Sequence, residues 1–416
     1  MNITQYLEKS YTAFHAVENA KNMLEEKGFR ALDLGKKQSL KQGDKFYVIK
    51  NGSALIAFSI GDLTNYAFNI AESHTDSPAL KVKGSLLTDS AEGKRINAER
   101  YGGLILHSML DIPLKIAGRI LCKSEKGISI ENYASDFCVN IPSVAIHHQP
   151  EVNDKLSLNV QVDMQPLLGG SDKELYPLLS SKEIIDADLY CVPAHAPAFC
   201  GRNNEFLVSP RIDNLTSAFS SIQAIINANP KGIAVACLFD NEEIGSSTKQ
   251  GACSSFLKDV LCYINSAMGF GEIEFLSALQ NGFALSIDNG HAVHPAHPEK
   301  SDVAQKVYLN KGIVIKHHTN YSTDGLSSAL IKAMLDKAEV CYQDYYNRSD
   351  LRCGGTLGLI TSSQLAIKAC DIGLAQLAMH SATETVGAED INRMTQCVTA
   401  FFQTSFVEVD GGVELR

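Results

Sequence analysis

The sequence predicts an α/β fold: a mixed sheet flanked by helices, interrupted by an inserted, mostly β module. Three observations carry this. From about residue 207, strand-length apolar runs alternate with segments of helical periodicity. Between about 84 and 206 that rhythm stops, and short apolar runs are separated by turn-like stretches such as Ser124-Glu125-Lys126-Gly127. The chain's 416 residues also exceed the size at which one core usually stops growing, so two units are expected. The expected division is 1–83 plus 207–416 as one domain, with 84–206 inserted into it.

The elements follow in order. Residues 1–30 read as a helix, because Tyr6, Leu7, Phe14, Val17, Ala20, Met23 and Leu24 recur at helical spacing and Gly28 offers a stop. Phe46–Ile49 and Ser53–Ile60 flank the turn signal Asn51-Gly52 and read as a hairpin. Tyr66–Ala71 is a short apolar run. Within the insertion, Leu114–Leu121 and Ile128–Ile130 read as strands. Beyond it, Leu215 to Ile226 marks a helix, Ile233–Phe239 a buried strand, Phe256–Ile264 a helix, and Phe283–Ile287 and Ile313–Ile315 strands. Leu326–Ala338 reads as helix, Leu365–Ile372 is a further apolar segment, and Ile391–Phe402 closes the chain as a helix. Strands alternating with helices imply a mostly parallel or mixed sheet covered on both faces.

Composition narrows the function. A formal net charge of -10 argues against nucleic acid as a partner, since phosphate binding needs a basic face. No apolar run approaches the 20 residues of a membrane span, and the polar N-terminal segment has no signal-peptide character. Eleven cysteines, an odd number with no C-x-x-C pair, fit reduced thiols in a cytosol rather than a disulfide framework.

Three polar clusters begin where apolar strands end. Tyr66–Ala71 runs into His74-Thr75-Asp76, Ile233–Phe239 into Asp240-Asn241-Glu242-Glu243, and Phe283–Ile287 into Asp288. In open α/β sheets, sites form at the carboxyl ends of strands, so these ends suggest one shared site. His74 reads as a metal ligand, with Asp76 orienting its ring. In the Glu242-Glu243 pair, one carboxylate can bind metal while its neighbour serves as general base. Asp213, at the start of a helix, is either an N-cap or a carboxylate bridging two metals. His380 follows an apolar stretch. His291, His294 and His297 follow Asp288, but Pro295 and Pro298 keep them off a common helical face. Two histidines with several carboxylates suit zinc, manganese or cobalt.

Seven segments, in this order, resemble those of the aspartyl aminopeptidases, metallopeptidase family 18: SYTAFHAVENAK (10–21), NGSALIAFSIG (51–61), SHTDSPALKVK (73–83), SPRIDNLTSA (209–218), LFDNEEIGSSTKQGA (238–252), SIDNGHAVHP (286–295) and QLAMHSATE (376–384). The resemblance implies a zinc-peptidase-like catalytic domain with two zinc ions. The implied ligands are His74, Asp213, Glu243, Asp288 and His380, with Asp213 bridging, Glu242 the general base and Asp76 the orienter. It further implies that the insertion is a dimerisation domain and that dimers build a homododecamer. In such an assembly, a histidine of IPSVAIHH (141–148), here His147, reaches a neighbouring active site. The resemblance also implies that IKHHTNYST (315–323) supplies Lys316 and Tyr321 for an acidic N-terminal residue of a peptide substrate. The chain departs from the family in YGGLILHSMLDIPL (101–114), which lacks the tryptophan and the arginine-aspartate pair, and in CGGTLGLI (353–360). The expectation is a cytosolic metallo-aminopeptidase acting on peptides. The competing readings are a neutral-residue aminopeptidase, a carboxypeptidase or deacylase of a related fold, and a non-catalytic shell protein.

Overall fold

The computed structural model describes residues 1–416. Its centre is a nine-stranded mixed sheet. In spatial order the strands are Arg30–Ala31, Lys45–Lys50, Ala54–Ile60, Ile233–Phe239, Phe68–His74, Phe283–Ile287, Lys368–Gly373, Ile313–His317 and Tyr342–Tyr346. Every residue of the strands at 54–60, 68–74, 233–239 and 283–287 is buried. Near-continuous apolar runs are what a sheet covered on both faces requires. The strand's two-residue period sorts its side chains to two cores. Leu55 and Ala57 pack with helices Ala13–Glu25, Ile212–Asn227, Gly325–Lys337 and Ala388–Phe402. Ile56 and Phe58 point the other way, toward helices Phe256–Ala267, Glu272–Gln280 and Gly358–Leu365.

One arrangement in this sheet positions the chemistry. Phe68–His74 runs parallel to both Ile233–Phe239 and Phe283–Ile287, and Phe239 stands level with His74. Three carboxyl ends therefore open on one edge.

A separate antiparallel sheet has the order Gly93–Tyr101, Ala79–Ser90, Ile184–Pro193, Leu114–Ser124 and Gly127–Val139. Its first strand starts at Ala79, ahead of residue 84. It encloses its own core of eighteen buried residues, including Leu80, Ile96, Met109, Ile116 and Leu189. Arg119 ties it to the large sheet by donating to the Asn51 carbonyl at 2.8 Å.

A third sheet, of short strands, includes Phe206–Ser209, Ala375–Leu377 and Glu384–Gly387. Glu384–Gly387 pairs antiparallel with both neighbours, and Ser209 lies opposite Glu384. This pairing brings the turn holding His380 beside the segment leading to Asp213.

Two local expectations differ from the structure. The first thirty residues form two helices, Ile3–Lys9 and Ala13–Glu25, rather than one. Thr12 is extended and starts the second, while Ser10 is buried and accepts a hydrogen bond from Asn19. Leu365–Ile372 is the end of one helix and the start of a strand, divided at Ala366, which sits at φ +52°.

Candidate metal centre

His74 ends the central strand and is buried. Its Nδ1 lies 3.0 Å from the Asp76 backbone carbonyl and 3.4 Å from the Asp76 carboxylate. The nearer orienting group is thus the main chain of Asp76. The Asp76 carboxylate has other partners: it accepts the Glu242 N–H at 3.1 Å, the Glu243 N–H at 3.2 Å and the Tyr101 hydroxyl at 2.7 Å. Asn241 precedes these glutamates at φ +62°, a conformation that Asn tolerates better than most residues, and both glutamates turn toward the cleft.

The other face of His74 meets carboxylates. Its Nε2 stands 3.4 Å from Asp213 Oδ1, 3.7 Å from Asp288 Oδ1 and 4.0 Å from Glu242 Oε2. Across the cleft, His380 Nε2 stands 3.6 Å from Asp213 Oδ2 and 3.4 Å from Glu243 Oε1. Asp213 thus turns one oxygen to each histidine. Its alternative reading as a helix cap fails here, because its Oδ1 accepts no hydrogen bond and no side chain caps the helix entry. Its backbone N–H donates to Glu384 at 3.0 Å.

The donor set fits a metal ion. His74, Asp213 and Asp288 offer one group of ligand atoms within 4.8 Å of one another, and Asp213, Glu243 and His380 offer another. Asp213 Oδ1 and Glu243 Oε1 are buried and lack any hydrogen-bond partner. Unsatisfied buried carboxylate oxygens are costly unless a cation takes them. Nitrogen and oxygen donors of this kind fit zinc.

The electrostatics give the same answer. Burial opposes charging His74, yet Asp213, Asp288 and Asp76 outweigh it and hold the imidazole well above its usual range. Burial likewise opposes His380, and Asp213 with Glu243 lift it to about 11. Burial raises Glu242 to about 8, with Asp288 and Glu243 adding repulsion against the pull of His74. Burial also raises Glu243. Burial disfavours charge on Glu242 and Glu243, and the neighbouring histidines offset part of that cost.

The cleft is about 450 Å³ and is lined by His74, Asp213, Glu242, Glu243, Asp288 and His380 together with Lys316, Tyr321 and His291. Of the three loop histidines, His291 is the one at the cleft; His294 and His297 line the adjoining hollow, which His291 borders as well. Lys316 is fully engaged. Its ammonium donates to the Asp288 carbonyl at 3.0 Å, the Asp288 carboxylate at 3.3 Å and the Asn289 carbonyl at 3.3 Å. The Tyr321 ring lies under that ammonium at 4.9 Å, and its hydroxyl is 3.2 Å from the Cys353 sulfur. His147 is exposed and lies outside the cleft of its own chain.

Sequence reasoning missed Glu384 and Tyr101. Glu384 is buried and accepts the N–H groups of both Asp213 and His380, the latter at 2.6 Å. Its spacing of four from His380 was the one available signal.

Fold and donor set together fit a metal-dependent enzyme. The comparisons specify which kind. A family model described as aminopeptidase I zinc metalloprotease (M18) matches residues 6–402. A probable M18 family aminopeptidase 2 of Clostridium novyi (strain NT) is 38% identical over 409 residues, covering 93% of this chain and 94% of that protein. A probable aspartyl aminopeptidase of Ricinus communis is 29% identical over 464 residues, covering 97% of this chain and 94% of that one. A chain in the cryo-EM structure of the Ape4 and Nbr1 complex superposes with a TM-score of 0.92 at 30% identity, covering 96% of this chain and 84% of that chain. The protein belongs to the M18 family of zinc metallo-aminopeptidases. No helix is long and apolar enough to cross a membrane.

Proposed function

We propose that this aminopeptidase removes single N-terminal residues from peptides, preferring acidic ones, at a centre holding two divalent ions. The observation that carries the two-ion reading is Asp213, whose two oxygens face different histidines at 3.4 and 3.6 Å. His74, Asp213 and Asp288 would hold one ion; Asp213, Glu243 and His380 would hold the other. Zinc is favoured by the family, and manganese or cobalt suits the same donors. When bound, the ions supply Lewis acidity toward the scissile carbonyl and the attacking water.

The remaining roles belong to the chain. Glu242 takes the proton from the attacking water and passes it to the leaving amine. Asp76 fixes the backbone of Glu242 and Glu243, so base and ligand move as one unit. The surplus of carboxylates holds the substrate's terminal ammonium.

Acidic preference is supported by the likeness to the aspartyl aminopeptidase and by Lys316 and Tyr321 at the cleft. One observation favours a second reading, a neutral-residue aminopeptidase. Lys316 already gives its donors to Asp288 and Asn289, leaving little for a substrate carboxylate. Turnover of Asp-, Glu- and Leu-terminal chromogenic substrates decides between them. A higher kcat/KM for the acidic pair supports the first reading; preference for Leu replaces it with the second.

We further propose that the segment 84–206 is a dimerisation module and that dimers assemble into a homododecamer in the cytosol. Its edge strand Gly127–Val139 is long and exposes Ile128, Ile130 and Phe137, a feature that free monomers usually avoid. In that assembly His147 reaches a neighbour's cleft. Sedimentation of the purified protein tests this, and a monomer would refute it.

A further inference from the structure

We infer that the strap Tyr101–Ser108, leaving the small antiparallel sheet at the end of its strand Gly93–Tyr101, is a positioning element for one of the two ion positions. This rests on the reading of Asp213, Glu243 and His380 as ligands of one ion.

The strap touches that position and does so repeatedly. Gly102 and Gly103 lie against its two outer ligands. A Cβ on Gly102 would meet Glu243 Cβ at 3.1 Å and Oε2 at 3.3 Å, and one on Gly103 would meet His380 Nδ1 at 2.9 Å. The Gly103 carbonyl is 3.3 Å from His380 Nδ1, on the side of the ring away from Asp213 and Glu243. An imidazole whose Nδ1–H donates to a carbonyl presents the Nε2 lone pair to a metal ion. Further along, the Ile105 N–H donates to the His380 carbonyl at 3.0 Å, and the Ala382 N–H donates to Ser108 Oγ at 2.8 Å.

These contacts matter because His380 is held in an uncommon backbone conformation, φ +66°. Non-glycine residues are uncommon in that region, although His enters it more readily than most, and neighbours hold it there. Three do so. Glu384 takes its N–H, Ile105 takes its carbonyl, and Gly103 takes its ring. His74 receives none of these contacts; its ring is set by Asp76, in the loop that follows its strand. The strap's contacts at Gly103, Ile105 and Ser108 therefore bear on the His380 position and none of them reaches His74. Tyr101 extends this link to Asp76 through its hydroxyl. Metal loading at one position is thereby coupled to the seating of the small sheet.

The test uses the full chain, stripped of metal by a chelator and titrated with Co2+ by visible absorption and with Zn2+ by calorimetry. Gly103→Ala pushes on a side-chain ring rather than on backbone, and Gly103 is not in the left-handed region. The expected result is one ion bound as in the unaltered chain and the second weakened by about 10- to 100-fold, with unchanged melting of the metal-free protein. Ser108→Ala, which introduces no clash, is expected to weaken the same position several-fold. It decides the matter if Gly103→Ala does not fold. Unchanged binding of both ions in the folded variants overturns the inference, as does equal weakening of both positions. If the unaltered chain binds no ions, the metal reading itself falls, and the inference falls with it.

Discussion

Replacing Glu242 by Gln separates the base from the ligands. Glutamine keeps the volume of the side chain and leaves the 242 N–H on Asp76, a bond of 3.1 Å. The groups assigned to hold the ions, His74, Asp213, Glu243, Asp288 and His380, are untouched, so metal content should stay the same. What disappears is a carboxylate placed 4.0 Å from His74 Nε2 at the mouth of the cleft, able to take and return a proton. General-base assistance contributes roughly 10²- to 10⁴-fold. At about 1.4 kcal/mol per decade, Glu242→Gln should raise the barrier by about 3–5 kcal/mol. The assay is steady-state hydrolysis of an aminoacyl chromogenic substrate alongside elemental analysis of the same sample. A kcat within tenfold of the unaltered enzyme would refute the role of Glu242. Loss of metal would show that it binds an ion instead.

Other predictions follow from single contacts. Lys316→Met removes the partner of the half-buried Asp288 carboxylate and leaves two carbonyls without their donor, so stability should fall by about 2 kcal/mol, read by chemical denaturation. If Lys316 instead serves only substrate recognition, stability will hold and KM will rise for acidic substrates alone. His15 is held down at about 4, chiefly by burial and also by Arg211, against the pull of Glu18. Its native form is therefore neutral while the unfolded form takes a proton below about 6.5, so it contributes stability fully above that pH and loses it as pH falls toward 4. Between pH 7 and pH 5 the loss should be about 2 kcal/mol. His15→Gln should lessen the pH dependence of unfolding by that amount, and an unchanged dependence would contradict the assignment.

Much of this centre was legible because strand ends are legible. His74 ends a strand, Asp288 follows one directly, and Glu242 and Glu243 come three and four residues after Phe239, so parallel in-register pairing brings those ends together. The same logic read Ile233–Phe239 and Phe283–Ile287 with the bounds they have in the fold. Asp213 and His380 were less legible. An Asp at a helix start is also a good cap, and His380 sits in a turn between two short strands whose pairing no local pattern announces. The family resemblance, rather than periodicity, singled them out. Glu384 and Tyr101 were invisible because their effect runs through backbone N–H groups and a hydroxyl, which depend on tertiary placement alone. The break after Lys9 was hidden for a related reason: apolar spacing continues through it, while the buried Ser10 with its Asn19 bond turns the chain.

The account stands on one carboxylate shared between two cation positions, and metal stoichiometry tests that most directly. Protein purified without chelator should hold about two ions per chain, predominantly zinc, and Asp213→Ala should lose both while remaining folded. A single ion per chain, or an Asp213→Ala variant that keeps its full complement, would contradict it.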